Sequence, residues 1–325
     1  MSAPNVWFIT TGEAGYRTQA RGLARALSED AREWIVDLRA PWRWLPVALA
    51  APFALGGLDQ ARDRPVPPWP DLVVTCGRKA AAVSIAIRGA SRGRTATAHV
   101  QNPLTAPTAF DLVVAMDHDR LTGPNVLSVP TALHDVTPAR LAAAGQAWRG
   151  RLKPDDRPLL GVLLGGSTKR SPFTVDQADR LLAELARVRA ASHARLAITP
   201  SRRTPLAVRA HLTEQLAGDP GAYLWDFQGE NPYLGILALS ERIVATSDSV
   251  SMVSEALATA AGVEIFGDEG GRRQAAFIGG LVDKGLVRRF QGDPAPPPAR
   301  APVDATGTAA QAVRAMLAAR TGASG

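Results

Sequence analysis

Short apolar segments alternate with helical segments along this chain, and the whole alternation occurs twice. Such alternation predicts parallel sheets covered by helices on both faces, because neighbouring parallel strands need long and usually helical crossover connections. The fold class is therefore expected to be α/β, with two doubly wound, Rossmann-like domains. The first series comprises predicted strands at residues 6–10, 34–38, 72–75, 96–100 and 112–115, and helices near 18–28 and 79–87. The second comprises predicted strands at residues 159–164, 194–199, 223–225, 243–245 and 263–266, and helices near 175–189 and 206–216.

A charged, proline-containing stretch at residues 149–158 separates the two series and is typical of a linker. We therefore expect an N-terminal domain over residues 1–150 and a C-terminal domain over residues 151–306. Two such domains in tandem predict an interdomain cleft faced by the carboxyl ends of both sheets. Residues 307–325 contain a final alanine-rich helix, which we expect to pack back on the N-terminal domain.

Composition narrows the classes of protein to which the chain can belong. Its 325 residues, 46% of them hydrophobic, suffice for two cores of ordinary size. The single cysteine, Cys76, excludes a disulfide framework or a thiolate metal cluster and fits a reducing compartment. The sequence has no signal-like start and no run of about 18 uncharged apolar residues, so we expect a cytoplasmic protein that does not span a membrane. A net charge of +7 favours nucleotide diphosphates, acidic lipid surfaces or nucleic acid as partners, but an arginine-rich composition explains the excess equally well.

The most specific local pattern is a strand that runs directly into a helix between residues 243 and 261. The strand ends in small hydroxyl residues, and the alanine-rich helix predicted over residues 252–261 contains neither glycine nor proline. Backbone N–H groups and the positive end of the helix dipole meet at such a turn, where a diphosphate is favoured by about 1 kcal/mol or more. The candidate anion-binding residues are Ser249, Val250, Ser251 and Met252.

Glu255 lies about one turn into this predicted helix. A capping-box acid would stand three residues after its hydroxyl cap, which excludes Glu255 for a cap at either Ser249 or Ser251. The carboxylate is instead placed to reach a group just beyond a bound phosphate. The alternative is a solvated acid that balances the helix dipole.

A glycine-containing turn follows the first predicted strand of the chain. Gly12 and Gly15 flank Glu13 there, in a G-x-x-G that lacks the third glycine of the dinucleotide-binding fingerprint. The glycines allow either the close approach of a substrate or only a tight turn. Glu13 is a candidate catalytic base, provided that burial desolvates its carboxylate.

A second glycine-rich turn opens the C-terminal domain. It comes close to a P-loop but has Ser167 where the P-loop lysine belongs, which argues against nucleoside triphosphate hydrolysis by that mechanism. Gly166, Ser167 and Thr168 still suit a diphosphate. Lys169 and Arg170 are either phosphate contacts or a solvated loop edge.

Two loops at later strand ends complete the candidate site. Arg202, one of two adjacent arginines between prolines, either neutralises departing phosphate charge or belongs to an exposed basic turn. Asn231 belongs to a loop whose aromatic residues, Trp225 and Phe227, either hold a nucleobase or lie in the core.

A metal site has little support. Asp117 and Asp119 form a D-x-D pair that suits a divalent ion, but they follow a strand of the N-terminal domain, opposite the phosphate-binding turns. The five histidines form no H-x-x-x-H pair, so a zinc site is not indicated. We therefore expect no bound metal.

Residues 42–55 are apolar almost all round, with two tryptophans at one end and Arg39 and Arg43 nearby. This segment is either buried core or an interfacial anchor on a lipid surface. Its prolines and its length argue against a membrane span.

Taken together, these motifs resemble the bacterial relatives of the plant mitochondrial-fission "elongated mitochondria" family. The last matching piece, residues 246–256, also looks like the donor-site helix of the peptidoglycan N-acetylglucosamine transferase and of other glycosyltransferases with two Rossmann-like domains, the GT-B type. The pieces cover nearly the whole chain in order: Gly12-x-x-Gly15-x-x-x-Gln19, Gln101-Asn102-Pro103, Gly123-Pro124-Asn125-Val126, Gly165-Gly166-Ser167, Ser201-Arg202-Arg203-Thr204-Pro205, Asn231-Pro232-Tyr233 and residues 246–256.

The resemblance implies a metal-independent site in which Glu255 holds the ribose of a nucleotide and the helix start at Ser249–Met252 holds its diphosphate. It also implies that the loop at residues 165–168 contacts the donor phosphates. The chain departs from those enzymes at its first loop, which has no histidine but has Tyr16 nearby, and this leaves the base open. It departs again at residues 261–263, where a glycine-lysine-proline is usual.

We therefore expect a glycosyltransferase that moves a sugar from a nucleotide diphosphate, its substrate rather than a cofactor, to an acceptor, for which a lipid-linked molecule at the inner membrane face is one candidate. The N-terminal domain would lie on the acceptor side and the C-terminal domain on the donor side, and no cofactor and no nucleic acid is expected. Two alternatives stay open. One is a non-catalytic adaptor that recruits a protein partner, as the eukaryotic branch of the family implies, and the other is a sugar-nucleotide epimerase.

Overall fold

The computed structural model describes residues 4–167, 172–268 and 270–322. These residues form two compact units. The first unit contains the chain up to Asp135 together with the segment that starts at Asp304, and the second unit is Val136–Val303.

The first unit is built on a parallel sheet of six strands. The strands are β1 (Val6–Thr10), β2 (Arg32–Ile35), β3 (Leu72–Cys76), β4 (Ala96–Val100), β5 (Leu112–Met116) and β6 (Val126–Val129), and the helices between them are α1 (Ala14–Leu27), α2 (Val47–Ala50) and α3 (Arg78–Ala90). Their order in the sheet is β2-β1-β3-β4-β5-β6. Alternate residues of β1 enter cores on opposite faces, with Phe8 on one face and Ile9 on the other. Because both faces are covered, these strands are continuous apolar runs.

The second unit repeats this plan. Its helices are α4 (Pro138–Leu152), α5 (Val175–Ser192), α6 (Leu206–Gln215), α7 (Tyr233–Leu239), α8 (Val250–Leu257) and α9 (Arg272–Asp283), and its strands are β7 (Leu159–Leu164), β8 (Arg195–Pro200), β9 (Ala222–Leu224), β10 (Arg242–Thr246), β11 (Gly262–Phe266) and β12 (Arg288–Arg289). The strand order is β12-β11-β10-β7-β8-β9, again all parallel. The two doubly wound, Rossmann-like domains predicted from the sequence are confirmed.

The division between the units falls at residue 135, ahead of the predicted boundary at residue 150. The reason is α4, a helix that was not predicted from the sequence and that reaches into the predicted linker. Trp148 and Leu152 are buried in the core of the second unit, and a Cβ on Gly235 of α7 would stand 2.5 Å from the Trp148 ring. The helix therefore packs too closely on α7 to belong elsewhere.

The last helix, α10 (Ala305–Gly322), belongs to the first unit. Its buried face, including Ala309 and Val313, joins the core that contains α1. The Arg320 guanidinium donates to Asp111 at 2.6 Å. This unit therefore takes up the chain from Asp304, slightly ahead of the predicted boundary at residues 306 and 307.

Each sheet has one place where the chain reverses its direction of progress. It lies between β1 and β3 in the first sheet and between β7 and β10 in the second. In open α/β sheets, ligands bind outside the carboxyl ends of the strands at such a switch point. The ends of β7 and β10 are therefore the place to look for a site in the second unit.

One buried histidine makes the first unit sensitive to acid. His99 in β4 is fully buried, its Nδ1 lies 2.8 Å from the Thr75 hydroxyl, and burial lowers its pKa from 6.5 to about 3. The imidazole stays neutral in the folded chain, whereas in the unfolded chain it takes up a proton below pH 6.5. Its contribution to stability is therefore complete above that pH and is lost as the pH falls toward 3.

We expect the wild type to lose about 2 kcal/mol of unfolding free energy from this group between pH 7 and pH 5. His99→Met removes the titrating group and should show a correspondingly smaller loss in urea denaturation at the two pH values. Exposed His193 provides the control, since His193→Asn should keep the full loss. An equal acid sensitivity in wild type and His99→Met would contradict this assignment.

Candidate functional site

A hydrogen-bonded network joins three loops at the switch point of the second sheet. Thr246, at the end of β10, accepts the Gly165 amide at 2.8 Å and donates its hydroxyl to Asp248 at 2.6 Å. Asp248 also accepts the Gly166 amide at 2.9 Å. The side chain of Asp248 is only 8% exposed, so its carboxylate ties the glycine loop after β7 to the turn before α8.

Both glycines of this loop are required because neighbouring parts of the chain approach them closely. A Cβ on Gly165 would stand 2.2 Å from the Asp248 carboxylate, and one on Gly166 would stand 2.2 Å from the backbone of Arg203. No side chain fits at such distances. The hydroxyl groups of Ser201 and Thr204 both donate to the Gly165 carbonyl, which fixes the third loop, the one after β8, against the glycines.

Of the two adjacent arginines, Arg203 joins the network. Its guanidinium lies 2.8 Å from the Asp248 carboxylate. Arg202, the residue predicted to neutralise phosphate, is exposed and makes no hydrogen bond or ion pair within the described part of the chain. The Asp248–Arg203 pair was missed by sequence reasoning, although both residues lie inside motifs that it singled out.

Helix α8 starts at this network, as the sequence predicts. Ser249 caps it by accepting the Met252 amide at 3.4 Å. Among the described residues, the amides of Val250 and Ser251 have no acceptor, so their N–H groups and the helix dipole remain available to an anion. Ser167 accepts the Phe173 amide at 3.0 Å, and Thr168 lies outside the described residues.

The far end of α8 differs from the prediction. The helix ends at Leu257 and not at Ala261, and just beyond this end the Thr259 hydroxyl turns back to donate to the Ala256 carbonyl at 2.7 Å and accepts the Ala261 amide at 3.3 Å. The Arg300 guanidinium donates to the carbonyls of Leu257 and Ala261 at 2.9 and 3.0 Å. Burial lowers the pKa of Arg300 to about 10, so it remains a cation at neutral pH and stabilises the negative end of the helix.

Glu255 is held by a residue of another predicted motif. The Tyr233 hydroxyl, at the start of α7, donates to the Glu255 carboxylate. Asn231 is exposed and accepts the Tyr233 amide at 3.0 Å, which shapes the turn before α7. The structure thus brings Glu255 next to the turn that contains Asn231.

The aromatic loop after β9 is half-buried rather than core. Trp225 and Phe227 have ring centroids 4.6 Å apart, and the Arg209 guanidinium lies 4.7 Å from the Phe227 centroid. Neither aromatic residue belongs to a core cluster. Because the two rings are not part of the core, the nucleobase interpretation stays open.

A small cleft, open to solvent, borders the network. It lies between the glycine loop and the ends of β10 and β11, and Asp248 lines it. Phe173 and Phe266 contribute apolar surface, while Ser247 and Asp268 contribute polar surface.

In the first unit, Gly12, Glu13 and Gly15 lie at the switch point between β1 and β3. Gly12 has a φ of 95°, a conformation that favours glycine, so the turn itself requires a glycine there. Glu13 is exposed and accepts the Thr11 hydroxyl. The burial that the catalytic-base hypothesis required is therefore absent from this unit, and the role of Glu13 stays a prediction.

The D-x-D pair forms a short turn after β5. Asp117 accepts the Ser128 hydroxyl at 2.6 Å, and Asp119 lies 3.8 Å from His118. Across residues 4–167, 172–268 and 270–322, no group of three or more His, Cys, Asp or Glu side chains is arranged to hold a metal ion. None of the described helices is long and apolar enough to cross a membrane.

Comparison with known proteins agrees with this architecture. A family model described as "Mitochondrial fission ELM1" matches residues 14–317. The Mitochondrial fission protein ELM1 of Arabidopsis thaliana is 30% identical over 291 residues, which cover 82% of this chain and 68% of that protein.

Two solved structures show the same fold over nearly the whole chain. UDP-GlcNAc 2-epimerase from Neisseria meningitidis, bound to UDP-GlcNAc, has a TM-score of 0.55 at 13% identity and covers 97% of this chain and 100% of its own. MurG from Acinetobacter baumannii has a TM-score of 0.52 at 13% identity, with 97% and 98% covered. The TM-scores establish a shared fold, but identities this low do not show a shared activity.

Proposed function

The chain belongs to the mitochondrial fission ELM1 family, and we propose that it is a sugar-nucleotide enzyme whose second unit binds the donor diphosphate at the β7–β10 switch point. The observation that carries this proposal is the convergence of the glycine loop, Arg203 and the start of α8 at that one place. Backbone amides, a helix dipole and a guanidinium together favour a doubly charged anion.

The chemistry follows from where negative charge develops. When the bond between sugar and diphosphate breaks, charge accumulates on the leaving phosphate oxygens, and preorganised donors stabilise it. Val250 and Ser251 supply amides, with Ser249 and Met252 forming the cap beside them, and Gly166, Ser167 and Thr168 form the opposing loop. Arg203 supplies the cation, and its guanidinium is proposed to contact the diphosphate through its remaining N–H groups while it keeps its contact with Asp248. No bound metal is required for this step.

Glu255 is proposed to hold the ribose of the nucleotide. Its carboxylate already accepts the Tyr233 hydroxyl, which fixes its direction. Asn231 and the aromatic pair Trp225 and Phe227 lie in the loop before Tyr233 and are proposed to receive the base. The solved relative bound to UDP-GlcNAc supports uridine diphosphate as the first ligand to try.

The transfer itself is proposed to be that of a metal-independent glycosyltransferase acting on a lipid-linked acceptor at the inner membrane face. Gly12, Gly15 and Glu13 of the first unit are the proposed acceptor contacts, and Glu13 is proposed to act as the base once a bound acceptor has covered its exposed carboxylate. The epimerase among the solved neighbours supports a second candidate, a sugar-nucleotide epimerase. The family to which the chain belongs supports a third, a non-catalytic adaptor for a protein partner.

Calorimetric titration with uridine, guanosine, cytidine and thymidine diphosphates tests the donor site directly. We expect one of them to bind, and failure of all four would overturn the proposal. Incubation of UDP-GlcNAc with and without membrane extract then separates the three functions. Transfer needs the extract, epimerisation proceeds without it, and an adaptor leaves the donor unchanged in both.

The two adjacent arginines give a matched pair of variants. Arg203→Gln removes the guanidinium that contacts Asp248 and should weaken uridine diphosphate binding about tenfold, since a hydrogen bond to a charged group contributes roughly 1.5 kcal/mol. Arg202→Gln removes an equal charge from an exposed position and should change the dissociation constant less than about twofold. The reverse order of effects would instead favour the sequence-based assignment to Arg202.

A further inference from the structure

The apolar segment at residues 42–58 of the first unit is core on one side only. Its inner side chains, Val47, Ala50, Ala51 and Ala54, are buried against the core that contains α3. The sequence left two interpretations open, buried core or surface anchor. The structure assigns the inner side to the core and leaves the outer side to be explained.

The outer side of the segment is exposed and apolar. Trp44, Leu49 and Phe53 are 70%, 59% and 52% exposed. Within the described chain, these are three of the six large hydrophobic side chains that are more than half exposed, and they lie within ten residues of one another along the sequence. We call these three residues the apolar patch. Clustered exposure of this kind marks an interaction surface, whereas single exposed side chains do not.

The apolar patch is held on a fixed scaffold. The Arg78 guanidinium donates to the carbonyls of Arg43 and Leu45 at 2.6 and 2.7 Å, on either side of Trp44. Trp42 stacks on Phe53 with centroids 4.5 Å apart, and a Cβ on Gly57 would stand 2.4 Å from the Trp42 ring. Because the segment is already ordered, binding through it loses little conformational entropy.

The charges around the apolar patch indicate which kind of surface can bind there. Residues 39–58 contain two charged side chains, Arg39 and Arg43, both exposed and both positive, and of the acids just outside this stretch Asp37 is paired with Lys79 and Asp59 accepts the Ala61 amide. A second copy of this chain, with a net charge of +7, would be repelled on approach. Tryptophan, leucine and phenylalanine between arginines instead match a lipid interface, where apolar side chains enter the boundary and guanidinium groups remain at the head groups.

We propose that the apolar patch, flanked by Arg39 and Arg43, docks on the surface of an anionic lipid bilayer. Docking needs no nucleotide and goes beyond the proposed donor site, which lies in the other unit. It would bring the proposed lipid-linked acceptor and the enzyme to the same surface. The patch therefore has a role whether the protein transfers a sugar or recruits a partner.

Sedimentation with vesicles tests the proposal on the full chain. The wild type should bind phosphatidylcholine vesicles that contain phosphatidylglycerol, and should bind pure phosphatidylcholine much more weakly. The Trp44→Ser, Leu49→Ser, Phe53→Ser triple variant should bind at least tenfold more weakly. Each of Arg39→Gln and Arg43→Gln should cost about fivefold on the anionic vesicles and nothing on the neutral ones.

Two exposed leucines outside the segment provide the matched control. Leu104 and Leu206 are 64% and 74% exposed, and the Leu104→Ser, Leu206→Ser double variant should bind vesicles as the wild type does. Unchanged melting temperatures and unchanged uridine diphosphate affinity would show that the triple variant folds. Full vesicle binding by the triple variant overturns the proposal.

Two other results would also overturn the proposal. One is a wild type that does not bind anionic vesicles, and the other is a wild-type dimer that the triple variant converts to monomer in light scattering. That last result would assign the patch to a second copy of the chain. Loss of nucleotide binding with retained vesicle binding would contradict only the donor-site proposal.

Discussion

Replacing Gly166 with alanine is expected to weaken uridine diphosphate binding at least about 100-fold, the loss of two charge-assisted hydrogen bonds. The new Cβ would stand 2.2 Å from the backbone of Arg203, so the glycine loop has to move. That movement separates the Gly166 amide from Asp248 and withdraws Arg203 from the start of α8. Isothermal titration calorimetry on wild type and variant measures the effect.

Gly150 provides the control for the glycine change itself. A Cβ on Gly150, on the exposed side of α4, would meet nothing within 4 Å. Gly150→Ala should therefore leave the affinity unchanged and raise the unfolding free energy by up to about 1 kcal/mol.

A second variant tests the donor site without displacing the glycine loop. Glu255→Gln keeps the shape of the side chain and should weaken uridine diphosphate binding about tenfold at an unchanged melting temperature, since a carboxylate that accepts from the ribose loses its charge. Wild-type affinity in both Gly166→Ala and Glu255→Gln would leave the donor site without support.

The fold was predictable because strands that are buried on both faces of a sheet appear in the sequence as continuous apolar runs. Ten of the twelve strands overlap predicted ones, most of which are apolar runs such as Leu159–Leu164, which is buried throughout. The elements that were missed have weaker patterns. In α4, only Trp148 and Leu152 are buried, so its apolar period is faint. Its one clear signal is the start, where the Thr137 hydroxyl accepts the Arg140 amide and Pro138 opens the first turn.

The candidate site was predictable in its parts but not in its connections. The glycine loop and the start of α8 each carry a local signature, because turn geometry and helix capping are short-range properties. The bond between Gly166 and Asp248 joins residues 82 positions apart, and no periodicity reports it. The choice between Arg202 and Arg203 depends on the turn that Ser201 and Thr204 fix against the Gly165 carbonyl, which a sequence alone does not determine.

The second large effect concerns stability and lies away from the donor site. Glu264 in β11 is fully buried and pairs with Arg242 of β10 and Arg288 of β12, the latter at 2.7 Å. The Arg242 guanidinium also donates to the Asp293 carbonyl at 2.8 Å. We call the side chains of Glu264, Arg242 and Arg288 the ion triad. Two guanidinium groups lose much of their hydration here, and the carboxylate compensates for that loss.

Glu264→Gln is expected to lower the unfolding free energy by about 3–5 kcal/mol, because it leaves Arg242 buried without its counter-charge. Urea denaturation gives the magnitude, and hydrogen exchange in peptides from β10 to β12 localises it to the second unit. Asp155 pairs with Arg157 and Arg195 at the surface, and Asp155→Asn should change little since water already solvates that pair.

The cause can be separated from the loss of packing by removing the whole ion triad. Glu264→Leu combined with Arg242→Met and Arg288→Met replaces three charges by apolar groups of similar size, and such replacements are often neutral or stabilising. We therefore expect this triple variant to be more stable than Glu264→Gln alone. If the triple variant is as unstable as Glu264→Gln, packing rather than the uncompensated charge accounts for the defect. If Glu264→Gln itself stays within about 1 kcal/mol of wild type, the ion triad contributes no more to stability than a surface pair.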